Sequence, residues 1–272
     1  MPELIEVEAY RSLAERALHR AIADVRAPDA WYLKEGLDRG ALEVLRGRRL
    51  VAARRVGKQL MLEVSAGGPG AAPPVEVGTG LVLGLRFGMS GRLLVAGVAG
   101  VGPLLHSTVR PAPGYERFAL CFEDGGNLAV SDPRRLGGVR LGRVAAGLGP
   151  DAATITLGRL RTALAGSRVP LKARLMDQSR VAGVGNLIAD EVLWRASLAP
   201  GRPSASLAPQ ELARLHRHLH RTIEELTRRG GSHTGDLMPE RRPGGVCPRD
   251  GAVLARSTVG GRTTWSCPRH QH

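Results

Sequence analysis

Cysteine is scarce: three occur in 272 residues, Cys121, Cys247 and Cys267. So few, and an odd number, exclude the disulfide framework of a small secreted domain and predict a reducing compartment. Long uncharged apolar stretches are missing, so no membrane span is expected. Glu3 and Glu6 stand where a secretory leader would be cationic, which predicts a soluble, cytoplasmic protein. Lysine is almost absent: of 39 basic residues only Lys34, Lys58 and Lys172 are lysines. A chain that writes Arg nearly everywhere yet keeps Lys58 in Val56-Gly57-Lys58-Gln59 points to a site needing a compact ammonium rather than a planar fork. Chance retention is the alternative for each lysine singly.

The basic residues outnumber 25 acidic ones, giving a net charge of +14. Such a surface suits a polyanion, most often nucleic acid, although the Arg-rich and Ala-rich composition of a GC-rich genome would also raise the charge. The length suffices for two modest cores. Val7, Tyr10, Leu13, Ala17 and Leu18 fall at helical spacing and predict an amphipathic helix over residues 5–23. Between residues 50 and 139 the pattern changes to short β-type runs at 59–64, 80–85, 92–95, 118–122 and 128–130, an antiparallel sheet domain; 66–78 and 96–113 read as loops. Helical periodicity returns at 160–165, 171–176, 187–196 and 209–228. The expected fold class is therefore α+β: a β-sandwich domain with flanking helices over 1–140, a helical domain over 151–235, and a Cys-bearing hairpin over 244–272.

In that tail, Cys247-Pro-Arg-Asp250 is followed after sixteen residues by Cys267-Pro-Arg-His270. Two short turns at this separation place four ligands, Cys247, Asp250, Cys267 and His270, around one tetrahedral ion, as in zinc ribbons. His272 competes as fourth ligand, and a metal-free hairpin is the alternative. Gly261-Arg262-Thr263 puts an arginine near the hairpin tip, where it can fork onto phosphate oxygens or simply be solvated. In Gly183-Val-Gly185-Asn186, Asn186 sits at a helix start with Asp190 and Glu191 in the early turns. That is good capping chemistry, and free N–H groups at such a start also bind phosphate. At the chain start, removal of Met1 exposes Pro2 as a secondary amine with a reference pKa of about 7.7 to 8.0, able to attack a carbonyl-type carbon.

Together these pieces resemble the formamidopyrimidine-DNA glycosylase/endonuclease VIII family nearly end to end. Pro2-Glu3-Leu4-Ile5-Glu6-Val7-Glu8 is similar to the family's PELPEVE start, Gly57-Lys58 to its strand lysine, Gly88-Met89-Ser90-Gly91 to its GMSG turn and Asp132-Pro133-Arg134-Arg135 to its DPRR turn. Residues 176–191 resemble its helix-two-turn-helix and the tail its zinc finger. Agreement of separated motifs in one order is specific where any single one is not.

The resemblance implies a bifunctional DNA glycosylase and abasic-site lyase of base-excision repair, acting on double-stranded DNA that carries damaged bases, in the cytoplasm with the nucleoid; no sequence feature argues for an oligomer, so a monomer is expected. Pro2, Glu3, Lys58 and Arg262 would be catalytic. Lys58, Asn186 and Arg262 would grip phosphates around the lesion, with Lys172 a further DNA-binding residue and Glu6 in a secondary role. Met89 and Arg134 would fill the gap left by a flipped base, with Leu136 where the family's third filler is aromatic. One structural zinc ion would fix the hairpin. Arg86 replaces the family's histidine before the GMSG turn, and the segment from His233 to Cys247 is short, which leaves the preferred lesion open. The alternative is a non-catalytic relative that only binds damaged DNA.

Overall fold

The computed structural model describes residues 2–65, 81–102, 112–142 and 147–272. The chain divides into two units, one of residues 6–145 with Pro2, the other of Glu3–Ile5 with residues 146–272.

Helix α1 (Leu4–Ala14) gives the first unit its residues from Glu6 on, and among the described residues that unit contains nine strands: β1 (Ile22–Arg26), β2 (Leu50–Val56), β3 (Gln59–Val64), β4 (Leu81–Arg86), β5 (Arg92–Val95), β6 (Val98–Ala99), β7 (Glu116–Phe122), β8 (Asn127–Ser131) and β9 (Gly138–Leu141). They form two antiparallel sheets, ordered β1-β7-β8-β5-β6 and β2-β3-β4-β9. Alternation aims one face of each sheet at a shared core: Phe118 and Leu120 with Leu128 and Val130 from one, Leu60, Leu62, Leu83 and Leu85 from the other. α1 adds Val7, Tyr10 and Leu13 to that core. The periodicity-based helix over 5–23 is too long. α1 stops at Ala14, a 3₁₀ turn follows over Glu15–Ala17, and His19 adopts φ 64° before β1. Ile22 to Arg26 pairs with β7, a long-range ladder that overrides the local helical spacing. The loop expected over 66–78 lies outside the described residues. Within 96–113 the described part holds β6 and the start of a 3₁₀ turn at Pro113–Tyr115, while 103–111 lies outside them.

The second unit contains α2 (Leu157–Leu164), α3 (Leu171–Met176), α4 (Asn186–Arg195) and α5 (Pro209–Arg228), then a hairpin of β10 (Ala255–Val259) and β11 (Arg262–Ser266). α5 starts with Pro at its first position, and the Glu211 carboxylate accepts from the Ala208 N–H at 2.8 Å. Leu212, Leu215, Leu219, Ile223 and Leu226 give it one apolar stripe, packed with Leu160, Leu171, Leu175, Ile188 and Val192. Leu4 and Ile5 are buried in this same core. Among the described residues no helix is long and apolar enough to cross a membrane.

Candidate active site and metal centre

Glu3 is 1% exposed and belongs to the second unit. Its carboxylate accepts from the backbone N–H of Gly185 (3.0 Å), Leu187 (2.8 Å) and Ile188 (3.1 Å). These are the orphan donors at the start of α4, where the helix dipole favours a negative charge. The cap of α4 is thus supplied by a residue more than 180 positions upstream. Asn186 is the first helical residue rather than the cap, and the donors expected to be free for phosphate are occupied by Glu3. The two glycines of this turn are required by close approach. A Cβ on Gly185 would lie 2.3 Å from the Glu3 Cδ, and one on Gly183, where φ is +104°, 2.9 Å from the Leu4 Cβ. The Asn186 Oδ1 is buried without a hydrogen-bond partner. Pro2, next to Glu3 in the chain, is buried.

Lys58 is half-buried in the two-residue turn between β2 and β3, where Val56 pairs with Gln59 and Gly57 has φ 58°, the conformation a tight hairpin needs at that position. The two motif turns of the first unit are joined by a buried carboxylate that the motif comparison does not single out. Asp132, 0% exposed, accepts from the Ser90 hydroxyl, from the Arg134 N–H (3.2 Å) and from the Gly137 N–H (2.8 Å). Gly88, at φ +56°, packs its Cα against the Leu136 and Gly137 backbone, where a Cβ would lie 2.4 Å from the Leu136 carbonyl carbon. Met89, Arg134 and Leu136 are therefore held on one pair of turns, with Arg134 exposed and Leu136, at 52%, among the most exposed large apolar side chains of the described residues. Arg135, at φ 57°, is tied back by two hydrogen bonds to Asp29, which holds that carboxyl below its usual range.

Lys172 does not meet the expectation of a DNA contact. It is 0% exposed and its ammonium lies 2.7 Å from Asp190 Oδ1. Burial pushes its pKa down, and Asp190 opposes the shift. Arg262 opens β11 immediately after the Gly260-Gly261 turn and is exposed.

At the other end of the hairpin, the ligand atoms of Cys247, Asp250, Cys267 and His270 all lie within 4.8 Å of one another. The individual edges are 3.6 Å from Cys247 Sγ to His270 Nδ1, 3.3 Å from Cys267 Sγ to Asp250 Oδ2 and 3.0 Å from His270 Nδ1 to Asp250 Oδ2. A tetrahedral site with bonds of about 2.0 to 2.3 Å has edges of roughly 3.3 to 3.8 Å, so two thiols, an imidazole and a carboxylate are placed for one ion. His270 Nε2 lies 3.3 Å from the Trp194 carbonyl oxygen, which favours the tautomer that leaves Nδ1 free as a ligand. The Trp194 indole N–H and the Arg249 backbone N–H both donate to the Cys247 sulfur. His272 is not part of the cluster. The structure thus shows a cluster able to hold a metal.

A two-sheet β-sandwich, a helix-two-turn-helix and a four-ligand hairpin in this order define a recognisable class of fold. The family model described as the formamidopyrimidine-DNA glycosylase N-terminal domain matches residues 1–139, and that described as the formamidopyrimidine-DNA glycosylase H2TH domain matches residues 146–237. A formamidopyrimidine-DNA glycosylase of Paracoccus denitrificans is 32% identical, over 98% of this chain and 99% of its own. One from Arabidopsis thaliana is 31% identical, over 100% of this chain and 71% of its own. The wild-type Lactococcus lactis Fpg (MutM), solved in complex with DNA containing an oxidized pyrimidine, matches with a TM-score of 0.78 and 25% identity over 100% of both chains. The chain belongs to the formamidopyrimidine-DNA glycosylase family.

Proposed function

We propose that this protein is a base-excision repair enzyme, a DNA glycosylase that removes oxidised bases from double-stranded DNA and then cleaves the abasic strand. Family membership along almost the whole chain supports the glycosylase activity and the DNA partner. The observation that carries the mechanism is the fixing of Glu3, directly beside Pro2, by three N–H donors at the start of α4.

In this reading the Pro2 amine, freed by loss of Met1, attacks C1′ of the damaged nucleotide. Glu3 delivers a proton to the ring oxygen as the sugar opens, and the C1′–N bond electrons leave with the base. The product is an iminium between Pro2 and C1′. It acidifies the C2′ hydrogen; loss of that proton expels the 3′ phosphate, and a second elimination expels the 5′ phosphate. Water then releases the sugar remnant from Pro2. Lys58, Asn186 and Arg262 hold phosphates, and Met89, Arg134 and Leu136 occupy the space of the flipped base. The protein works wherever chromosomal DNA is, in the cytoplasm with the nucleoid.

The metal of the hairpin is zinc, held by Cys247, Asp250, Cys267 and His270. When bound it supplies a cross-link, not a catalytic group. Metal analysis is expected to give one zinc per chain. Cys267→Ser should remove it, lower thermal stability and speed proteolysis within 244–272; a variant that retains one zinc and an intact hairpin refutes the assignment.

The test of the main reading is borohydride trapping on labelled duplexes containing 8-oxoguanine, formamidopyrimidine, an oxidised pyrimidine or an abasic site. A covalent adduct is expected, and the lesion giving most adduct names the preferred substrate. No adduct on any duplex, from correctly processed protein that still binds DNA, supports the non-catalytic alternative instead.

A further inference from the structure

Lys172, Asp190 and Arg241 form a charged cluster in the interior of the second unit. The side chains of Lys172 and Asp190 are 0% and 1% exposed, and that of Arg241 is 8%. Ions so deep cost several kcal/mol each to desolvate, and an apolar trio of equal volume would serve stability as well or better. The arrangement therefore asks for a role beyond stability, and its contacts supply one.

Asp190, on α4, is shared between two cations: Oδ1 lies 2.7 Å from the Lys172 ammonium, and Oδ2 accepts from Arg241 Nη2 at 2.7 Å and from Nε at 3.2 Å. An ammonium has three N–H bonds. Those of Lys172 face Asp190, the Thr264 hydroxyl at 2.7 Å and the Thr263 carbonyl at 3.2 Å. Two hydrogen bonds and one ion pair enclose the ammonium, and with the side chain 0% exposed none of it faces outward toward a phosphate. Two of the three acceptors lie on β11, in the residues directly after Arg262. A second anchor holds the other side of the tip: Gly260, at φ +57°, lies so close to α3 that a Cβ there would come 2.8 Å from the Ala173 Cβ. Lys172 and Ala173 are consecutive on α3, so one short helix grips both sides of the turn that presents Arg262.

We infer that Lys172, Asp190 and Arg241 are positioning residues that set Arg262 on the hairpin, and that Lys172 serves DNA binding through that arginine rather than by touching DNA. The inference rests on the reading of Arg262 as a phosphate-gripping residue. It separates two supports of the hairpin: the four-ligand cluster closes the ends of its chain, while the charged cluster fixes its tip against α3 and α4.

The test is a double-mutant cycle on affinity for a duplex carrying a tetrahydrofuran abasic analogue, with hydrogen exchange of residues 259–264 read on the same proteins at full metal content. Lys172→Met keeps the length of the side chain, and Thr264→Val preserves a β-branched strand residue while removing a hydroxyl that accepts from Lys172 and donates to the Arg262 carbonyl oxygen at 3.0 Å. Lys172→Met and Arg262→Ala are each expected to weaken binding by about tenfold, roughly the loss of one charged contact. The double variant should be weaker than Arg262→Ala by less than about twofold, because both remove the same contact. Thr264→Val should weaken binding in the same direction, and hairpin exchange should quicken in both Lys172→Met and Thr264→Val. Additive losses in the cycle with unchanged exchange would overturn the inference and make Lys172 a direct contact. If Lys172→Met does not fold, Thr264→Val decides: unchanged hairpin exchange overturns the lock. Failure of the wild-type protein to bind the abasic duplex would refute the parent reading, and the exchange measurements would still decide whether the cluster holds the hairpin.

Discussion

Extending the chain by one residue ahead of Pro2 is expected to abolish borohydride trapping and strand cleavage while leaving affinity for an abasic duplex within about threefold. An acylated proline nitrogen is an amide, whose lone pair is delocalised and unavailable for attack. Loss of a covalent nucleophile costs on the order of a thousandfold or more in rate. Pro2→Gly in a correctly processed protein is a milder test, because a primary amine still attacks an aldehyde. Its trapping should fall but persist on a preformed abasic site. The competing nucleophiles are few. Lys172 is enclosed, Lys34 donates to the Trp31 carbonyl oxygen and lies 4.6 Å from the Trp31 ring centre, and Lys58 sits in the β2–β3 turn. An undiminished adduct in the extended protein, mapped by peptide mass to Lys58 or Lys34, would refute Pro2 as the nucleophile.

Glu3→Gln is the second large effect, and it should act on two observables at once. Base removal from a lesion duplex is expected to fall by about a hundredfold to ten-thousandfold, the usual contribution of a positioned general acid. Cleavage of a preformed abasic site should fall much less, because its open-chain aldehyde is already electrophilic and needs no leaving base. The same substitution should also lower stability. Gln presents one N–H₂ group where Glu3 offers only acceptors, so at least one of the Gly185, Leu187 and Ile188 N–H groups loses its partner. An orphaned buried donor together with a weakened charge-assisted bond costs about 2 to 4 kcal/mol, visible as a lower melting temperature. Equal losses on lesion and abasic duplexes would remove Glu3 from the proton-delivery step. An unchanged melting temperature would refute its role as the cap of α4.

How much of the site was legible varies from residue to residue. Pro2, Glu3, Lys58, Met89, Arg134, Asn186 and Arg262 stand in short contiguous patterns, so local order in the chain was enough to single them out. Asp132 stood inside the DPRR pattern, but its work is done on Ser90, Arg134 and Gly137, and only the folded turns show that. Lys172 is the opposite case. The resemblance suggested a DNA contact, but the partners that enclose it, Asp190, Thr263 and Thr264, come from two other segments. Asn186 shows a third kind of gap: a cap looks local in sequence, but here the capping carboxylate comes from Glu3.

The secondary structure divides the same way. The helix expected at 171–176 matches α3, that at 209–228 matches α5, and the strand expected at 59–64 matches β3, because in each the apolar period itself chooses the backbone. β1, β2, β6 and β9 were not anticipated, and each is a strand through its partner, β7, β3, β5 and β4 respectively. By itself the sequence determined the class of fold, the family and the order of its chemical groups, because periodicity, glycine turns and ligand spacing act over a few residues. Tertiary structure decided which carboxylate caps α4, which ammonium is shut inside, and which hairpin edge is held to α3. Those outcomes depend on burial and on partners far apart in the chain, and neither is written in any local pattern.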